Sequence, residues 1–248
     1  VLIVLRMDYM KRLLCILWLG LALSLYGQQA VADSRFVLFI ADQAQQDIQL
    51  YWKDANGERF ANPGRLRQHL KAQGRKLVFA MNGGMYTANH SPQGLYKERG
   101  KTLVPIDTST GGGGNFYLKP NGVFYLTAKA ARVVTTKDFD TSGVLYATQS
   151  GPMLVIDGMI HPAFSQGSKN LNIRNGVGIL PDGRVLFAMS KEPINFYDFA
   201  EFFRRMGCRN ALYLDGFVSR CYYPDGKWTQ EDGDFGVIIG VASRTKKR

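Results

Sequence analysis

From residue 36 onward the chain is a succession of short apolar runs separated by turn residues, the spacing of a protein built mainly from strands. Runs at 36–40 and 48–52 open it, and 77–81 leads into Asn82-Gly83-Gly84. Further runs follow at 94–97, 116–118, 123–126, 132–135, 145–149 and 153–156. Pro120-Asn121-Gly122 and Asp157-Gly158 punctuate them. Residues 176–180 and 185–189 flank Pro181-Asp182-Gly183 and predict a hairpin, while 211–214 and 236–241 read as late buried strands. Helical spacing is scarcer. A short helix is predicted over 65–71 after Pro63-Gly64. A clearer one starts at the N-cap Asn195, carries Asp198 three residues on, and stops at Gly207. Its Phe196, Phe199, Ala200, Phe203 and Met206 share one face and read as core. Many strands, few helices and no regular β-α-β alternation predict an α+β fold, a single domain of mixed, mostly antiparallel sheets.

One apolar run does not fit a strand. Leucine-rich residues 13–26 follow Met10-Lys11-Arg12 and precede Ala30-Val31-Ala32, the layout of an export signal cleaved near Ala32. Residues 1–9 read as upstream translation. The expected organisation is therefore a signal and upstream segment over 1–32 and one domain over 33–248. The product is expected to be exported, periplasmic or secreted. The formal charge is +11; losing Arg6, Lys11, Arg12 and Asp8 with the signal leaves +9. A basic exported protein suits an anionic partner, a phosphorylated glycan or another anionic envelope polymer, with membrane-surface contact as a further option. The charge is scattered and no nucleic-acid motif is present, so no nucleic acid is expected. Cys208 and Cys221 remain after cleavage, and an oxidising compartment would allow them to pair. The sequence leaves the oligomeric state open.

Polar and glycine clusters stand at the ends of apolar runs, where a sheet can hold a reacting group rigidly. Asn82-Gly83-Gly84 offers backbone N–H groups, or is a tight strand exit. Gly111 to Gly114, before Asn115, lacks the lysine and helix onset of a phosphate-binding P-loop. Ser150-Gly151 lacks the glycines of a nucleophile elbow, since Thr148 and Pro152 fill those places, and His69, His90 and His161 show no spacing that pairs them with it. Arg174 enters an otherwise apolar strand beside Asn175 and must find an anion, an internal carboxylate or a ligand phosphate. Asp215-Gly216, with Ser219 beyond, ends the run 211–214. On local pattern alone it reads as a hairpin turn before it reads as a site. Zinc-type spacings and an EF-hand are absent from the sequence. No metal site or cofactor is expected, with a divalent cation left open.

In order along the chain, these stretches resemble the phosphodiester glycosidase domain family, in its bacterial exported branch. The segments that carry the resemblance are Asn82-Gly83-Gly84-Met85-Tyr86, Asn115-Phe116, Ser150-Gly151, Arg174-Asn175-Gly176-Val177-Gly178, 194–202 and Asn210-Ala211-Leu212-Tyr213-Leu214-Asp215-Gly216, over roughly residues 78–241. The resemblance implies hydrolysis of a sugar-1-phosphodiester on an envelope or extracellular glycan, in a cavity at these motifs. On it, Asp215 is assigned as base or nucleophile, Arg174 with the N–H groups of Gly83 and Gly84 to the phosphodiester, and Ser150 and Asn82 to orienting the sugar. Asn115, Asn175, Gly216 and Ser219 complete the expected lining. The family motif usually runs from Leu-Asp-Gly into further glycines or a serine, whereas Phe217-Val218 stands here before Ser219, and a phenylalanine there would narrow the site or stack on a sugar. Glu192 is a lesser catalytic candidate. The competing reading is a non-catalytic glycan-binding or exopolysaccharide-assembly protein of the envelope; a hydrolase of another phosphodiester or of an amide is a third.

Overall fold

Alternate residues of the long strands face two different apolar clusters, and this double burial explains why their sequences are apolar almost throughout. In β12 (Val185–Ser190), Val185, Phe187 and Met189 face a central core while Leu186 and Ala188 face a second cluster. The computed structural model describes residues 33–216 and 218–243; the expected export segment and Phe217 lie outside them.

Three antiparallel sheets surround the central core. The first runs β1 (Phe36–Ala41), β12, β11 (Asn175–Ile179), β13 (Ala211–Asp215), β9 (Met153–Ile156) and β10 (Met159–Ile160). The second runs β15 (Trp228–Thr229), β14 (Cys221–Tyr223), β3 (Leu77–Asn82), β16 (Ile238–Ser243) and β2 (Gln46–Tyr51). The third runs β5 (Lys101–Val104), β4 (Tyr96–Glu98), β8 (Val144–Ser150), β6 (Gly122–Thr127) and β7 (Ala131–Thr135). Phe79, Phe124, Phe187 and Leu212 bring all three together in the core, each buried. The expected α+β fold of mostly antiparallel sheets is what forms.

Among the described residues two helices cover outer faces. Helix α1 (Pro63–Ala72) lays Leu66 and Leu70 on the second sheet, and α2 (Phe196–Arg205) lays Phe199, Phe202 and Phe203 on the first. Each buried phenylalanine contributes about 2–3 kcal/mol relative to exposure. The capping residues act as expected: Asn195 Oδ1 accepts from Asp198 N–H at 2.8 Å, and Asn195 Nδ2 donates to Asp198 Oδ2 at 2.8 Å. Asn195→Ala is expected to cost about 1 kcal/mol, read as a lower urea midpoint at unchanged slope. Among the described residues no helix is long and apolar enough to cross a membrane.

Three expectations change. Residues 116–118 are not a strand. Gly114 turns the chain at φ 85°, Asn115–Tyr117 forms a 3-10 turn, and Phe116 plugs the core at 2 % exposure. Asp215-Gly216 is not a hairpin either. β13 pairs with β11 and β9 in the first sheet, whereas Cys221 starts β14, which pairs with β3 in the second. Ser219 N–H and Oγ both donate to Gly216 O at 2.6 Å, turning the chain out of one sheet towards the other. The cysteines are consequently apart and free, Cys208 beneath α2 and Cys221 in the central core. Burial pushes both thiols up, Cys208 to about 12 and Cys221 further.

Candidate functional site at the junction of three sheets

The polar residues that end the apolar runs converge where the three sheets meet, and they bond the sheets to one another. Asn175 Nδ2, at the start of β11, donates to Asn82 O and Asn82 Oδ1 at the end of β3, each at 2.9 Å. Its Oδ1 accepts from Asp215 N–H at 2.8 Å. Ser150 Oγ, at the end of β8, donates to Leu214 O of β13 at 2.7 Å. Thr148 Oγ1 of β8 donates to Gly83 O at 3.0 Å, just past β3. Asn82, Thr148, Ser150 and Asn175 are all buried. Asn175→Ala would leave Asp215 N–H and Asn82 O without these partners inside the protein. Its expected cost is about 2–4 kcal/mol, measured by chemical denaturation.

Asp215 stands at this junction, half-buried, with Gly216 N–H donating to its Oδ1 at 2.7 Å. Burial pushes its pKa up to about 6, against the opposing pull of Gly216 N–H and the Asn82 amide. The Asn82 Nδ2 group faces the carboxyl outside full hydrogen-bond geometry and has no bonded partner among the described residues. A buried donor left open beside a carboxylate is a place for a ligand oxygen.

Arg174 is the largest fully buried side chain, and it points inward rather than into an open site. Nε donates to Ile194 O at 2.8 Å, and Nη2 to Asn170 O and Oδ1 at 2.9 and 3.1 Å. Its guanidinium lies 3.6 Å from the Phe196 ring centroid, a cation–π contact. No carboxylate pairs with it among the described residues; of the two anions the sequence allowed, the internal carboxylate is replaced by carbonyls and an aromatic face. Nη1 makes a long 3.5 Å contact with the Tyr213 hydroxyl. The Asn115 side chain reaches that hydroxyl as well. Burial raises the Tyr213 phenol far above its usual range, with Arg174 opposing and Asp215 reinforcing. A β-carbon on Gly216 would collide with the buried Tyr213 hydroxyl oxygen, so glycine is what fits there.

The remaining expected residues fall as follows. Gly83 N–H donates to Val237 O at 2.8 Å and is committed to the fold. Gly84 N–H has no such partner among the described residues. Ser219 closes its turn, and Ser150 has no histidine partner. His69 bonds Gln73, His161 Nε2 contacts Lys119 O, and Glu192 is exposed. Among the described residues no three His, Cys, Asp or Glu side chains are grouped to hold a metal ion.

A sequence model of phosphodiester glycosidase matches residues 75–241, most of the chain and all of this junction. The chain belongs to the phosphodiester glycosidase family. It is 37% identical over 196 residues to the uncharacterized protein YigE of Escherichia coli K12, covering 78% of this chain and 76% of that one. Among solved structures, its fold is similar to the zebrafish N-acetylglucosamine-1-phosphodiester α-N-acetylglucosaminidase catalytic domain, auto-inhibited by its pro-peptide. That similarity has a TM-score of 0.54 at 16% identity over 86% of this chain and 85% of the other. A Burkholderia pseudomallei protein is similar with a TM-score of 0.52 at 11% identity, over 83% and 73% of the two chains.

Two residues of this junction were not singled out as site residues from the sequence, Thr148 and Tyr213. Tyr213 had a usable signal, because it lies two residues before Asp215 and so on the same face of β13. Thr148 had none, since a threonine inside a strand is ordinary.

Proposed function

We propose that this protein hydrolyses a sugar-1-phosphodiester on an anionic glycan outside the cytoplasm. The observation that carries the reading is Asp215, a carboxyl shifted to about 6 beside the open Asn82 amide at the three-sheet junction. Such a group is largely ionised at neutral pH yet basic enough to accept a proton. In the proposed step a water adds to the anomeric carbon while the bond from that carbon to the phosphate oxygen breaks. The phosphate leaves with the bonding pair, and Asp215 takes the proton of the water. In a two-step variant the carboxylate itself attacks first. Phosphate leaves readily, so stabilising its negative charge matters more than protonating it. Asn82 Nδ2 and Gly84 N–H are the donors assigned to the substrate. Arg174 supplies positive potential from beneath, through Tyr213, without touching it.

The family and the activity named for the zebrafish neighbour both support a sugar-1-phosphodiester over other esters. The apolar run at 13–26 with its basic start and the +11 charge support export and an anionic glycan. Incubation with a panel of methyl-capped sugar-1-phosphodiesters should release free sugar and phosphomonoester in equal amounts. Binding without release would overturn the enzymatic reading in favour of a glycan-binding protein.

A further inference from the structure

Between Asn82 and β4 the chain makes a compact excursion instead of a direct crossing. Tyr86 bridges to Pro92, Thr87 N–H donates to Ser91 O at 2.9 Å, and Gln93 N–H donates to Met85 O at 2.9 Å. At its tip the rings of Tyr86 and His90 stack, with centroids 5.1 Å apart and planes within 16°. His90 holds φ 60°, a conformation uncommon for any residue but glycine. Other elements fix it there. Trp52 Nε1 donates to His90 O at 3.1 Å, His90 Nε2 meets Asp234 Oδ2 at 2.9 Å, and Arg59 Nη1 meets Asp234 Oδ1 at 2.8 Å. Gly236 packs directly on Tyr86. The His90, Arg59 and Asp234 side chains retain 27%, 29% and 59% exposure, so this is a surface feature rather than core.

We propose that the Tyr86–His90 stack, edged by Arg59 and Asp234, is a sugar-ring subsite adjoining Asp215. Its class of ligand is a pyranose, whose apolar face lies on an aromatic surface while its hydroxyls meet a carboxylate and a guanidinium. An aromatic wall with a few fixed polar groups is how small-molecule sites gain both affinity and orientation. Proximity to the reacting centre follows from the chain: the excursion leaves directly from Asn82, which faces the Asp215 carboxyl. Burial raises the Tyr86 phenol above its usual range, and the charges of Asp215 and then Asp234 reinforce it, so both carboxylates lie within electrostatic reach of the ring. This subsite rests on the reading of Asp215 as a sugar-phosphodiester centre.

The test separates sugar contact from turnover. Calorimetry on the full chain carrying Asp215→Asn would measure binding of the methyl diester of N-acetylglucosamine 1-phosphate, and of dimethyl phosphate as a probe without a sugar. Adding Tyr86→Ala should weaken the sugar diester at least tenfold and leave dimethyl phosphate unchanged. Tyr86→Phe, which keeps the ring, should stay within threefold of the parent. His90→Ala should weaken the sugar diester severalfold, and it decides the matter if Tyr86→Ala does not fold. Equal affinity of the sugar diester for the parent and the ring-deleting variants would overturn the subsite, as would equal affinity of the parent for the two ligands. Sugar release by Asp215→Asn at the unsubstituted rate would instead overturn the catalytic reading, with the binding comparison still judging the subsite.

Discussion

Asp215→Asn is expected to lower sugar release at least about a thousandfold while the protein stays folded, because the substitution keeps shape and removes only the proton-accepting charge. Its effect on stability should run the other way. The folded carboxyl has a pKa of about 6 against 3.8 for its ordinary value. Between those values the folded state binds more protons than the unfolded one, so stability falls as pH rises through that window. Above it, an ionised Asp215 costs the fold on the order of 2–3 kcal/mol. Asp215→Asn should therefore unfold at higher denaturant than the unsubstituted protein at pH 7.5, and should lack its decline between pH 4 and 6. Activity carries the opposite sign, since the base must be ionised: kcat/KM should fall as pH drops below about 6. Unchanged hydrolysis in Asp215→Asn would sink the assignment. A pH-stability profile identical to that of the unsubstituted protein would sink the electrostatic account.

The second large effect is at Arg174, where two substitutions divide packing from charge. Arg174→Ala deletes a fully buried side chain, takes a donor from Asn170 O, leaves Ile194 O with Asn172 N–H alone, and opens a cavity against Phe196. It should cost about 3–5 kcal/mol in chemical denaturation. Arg174→Met keeps much of the packing and removes a buried cation that has no carboxylate partner, so its cost should be smaller, about 1–2 kcal/mol. If Arg174 serves through its field at Tyr213, Arg174→Met should still lose about a hundredfold in kcat with KM little changed. Full activity in folded Arg174→Met would reduce Arg174 to a packing residue.

The comparison of these two residues shows what the sequence could tell and what it could not. The run 211–214 ending at Asp215 is legible because a doubly buried strand must be apolar throughout and a carboxylate at its end breaks the pattern. Asn82, Ser150 and Asn175 stand out by the same logic, and the structure brings them together at the junction. The orientation of Arg174 was not legible, because only tertiary structure decides whether a strand-entry arginine turns towards a ligand or towards the Phe196 ring. The hairpin expected at Asp215-Gly216 failed for a related reason. Local turn chemistry cannot distinguish a return within one sheet from a departure to another, and β14 was missed as a result. β5 was missed because Lys101, Thr102 and Leu103 are all exposed, leaving no alternation to detect.

The side chains that ring Asp215 are also the fasteners between sheets: Asn175 to Asn82 joins the first to the second, and Ser150 to Leu214 joins the third to the first. A ligand bound at this seam would therefore act as a mechanical clamp. A sugar phosphodiester held by Asn82 and Asp215 would add a second tie between the two sheets beside the Asn175–Asn82 hydrogen bonds. Amide hydrogen exchange should then slow at the ends of β3 and β13 together, and not at the far ends of the same strands.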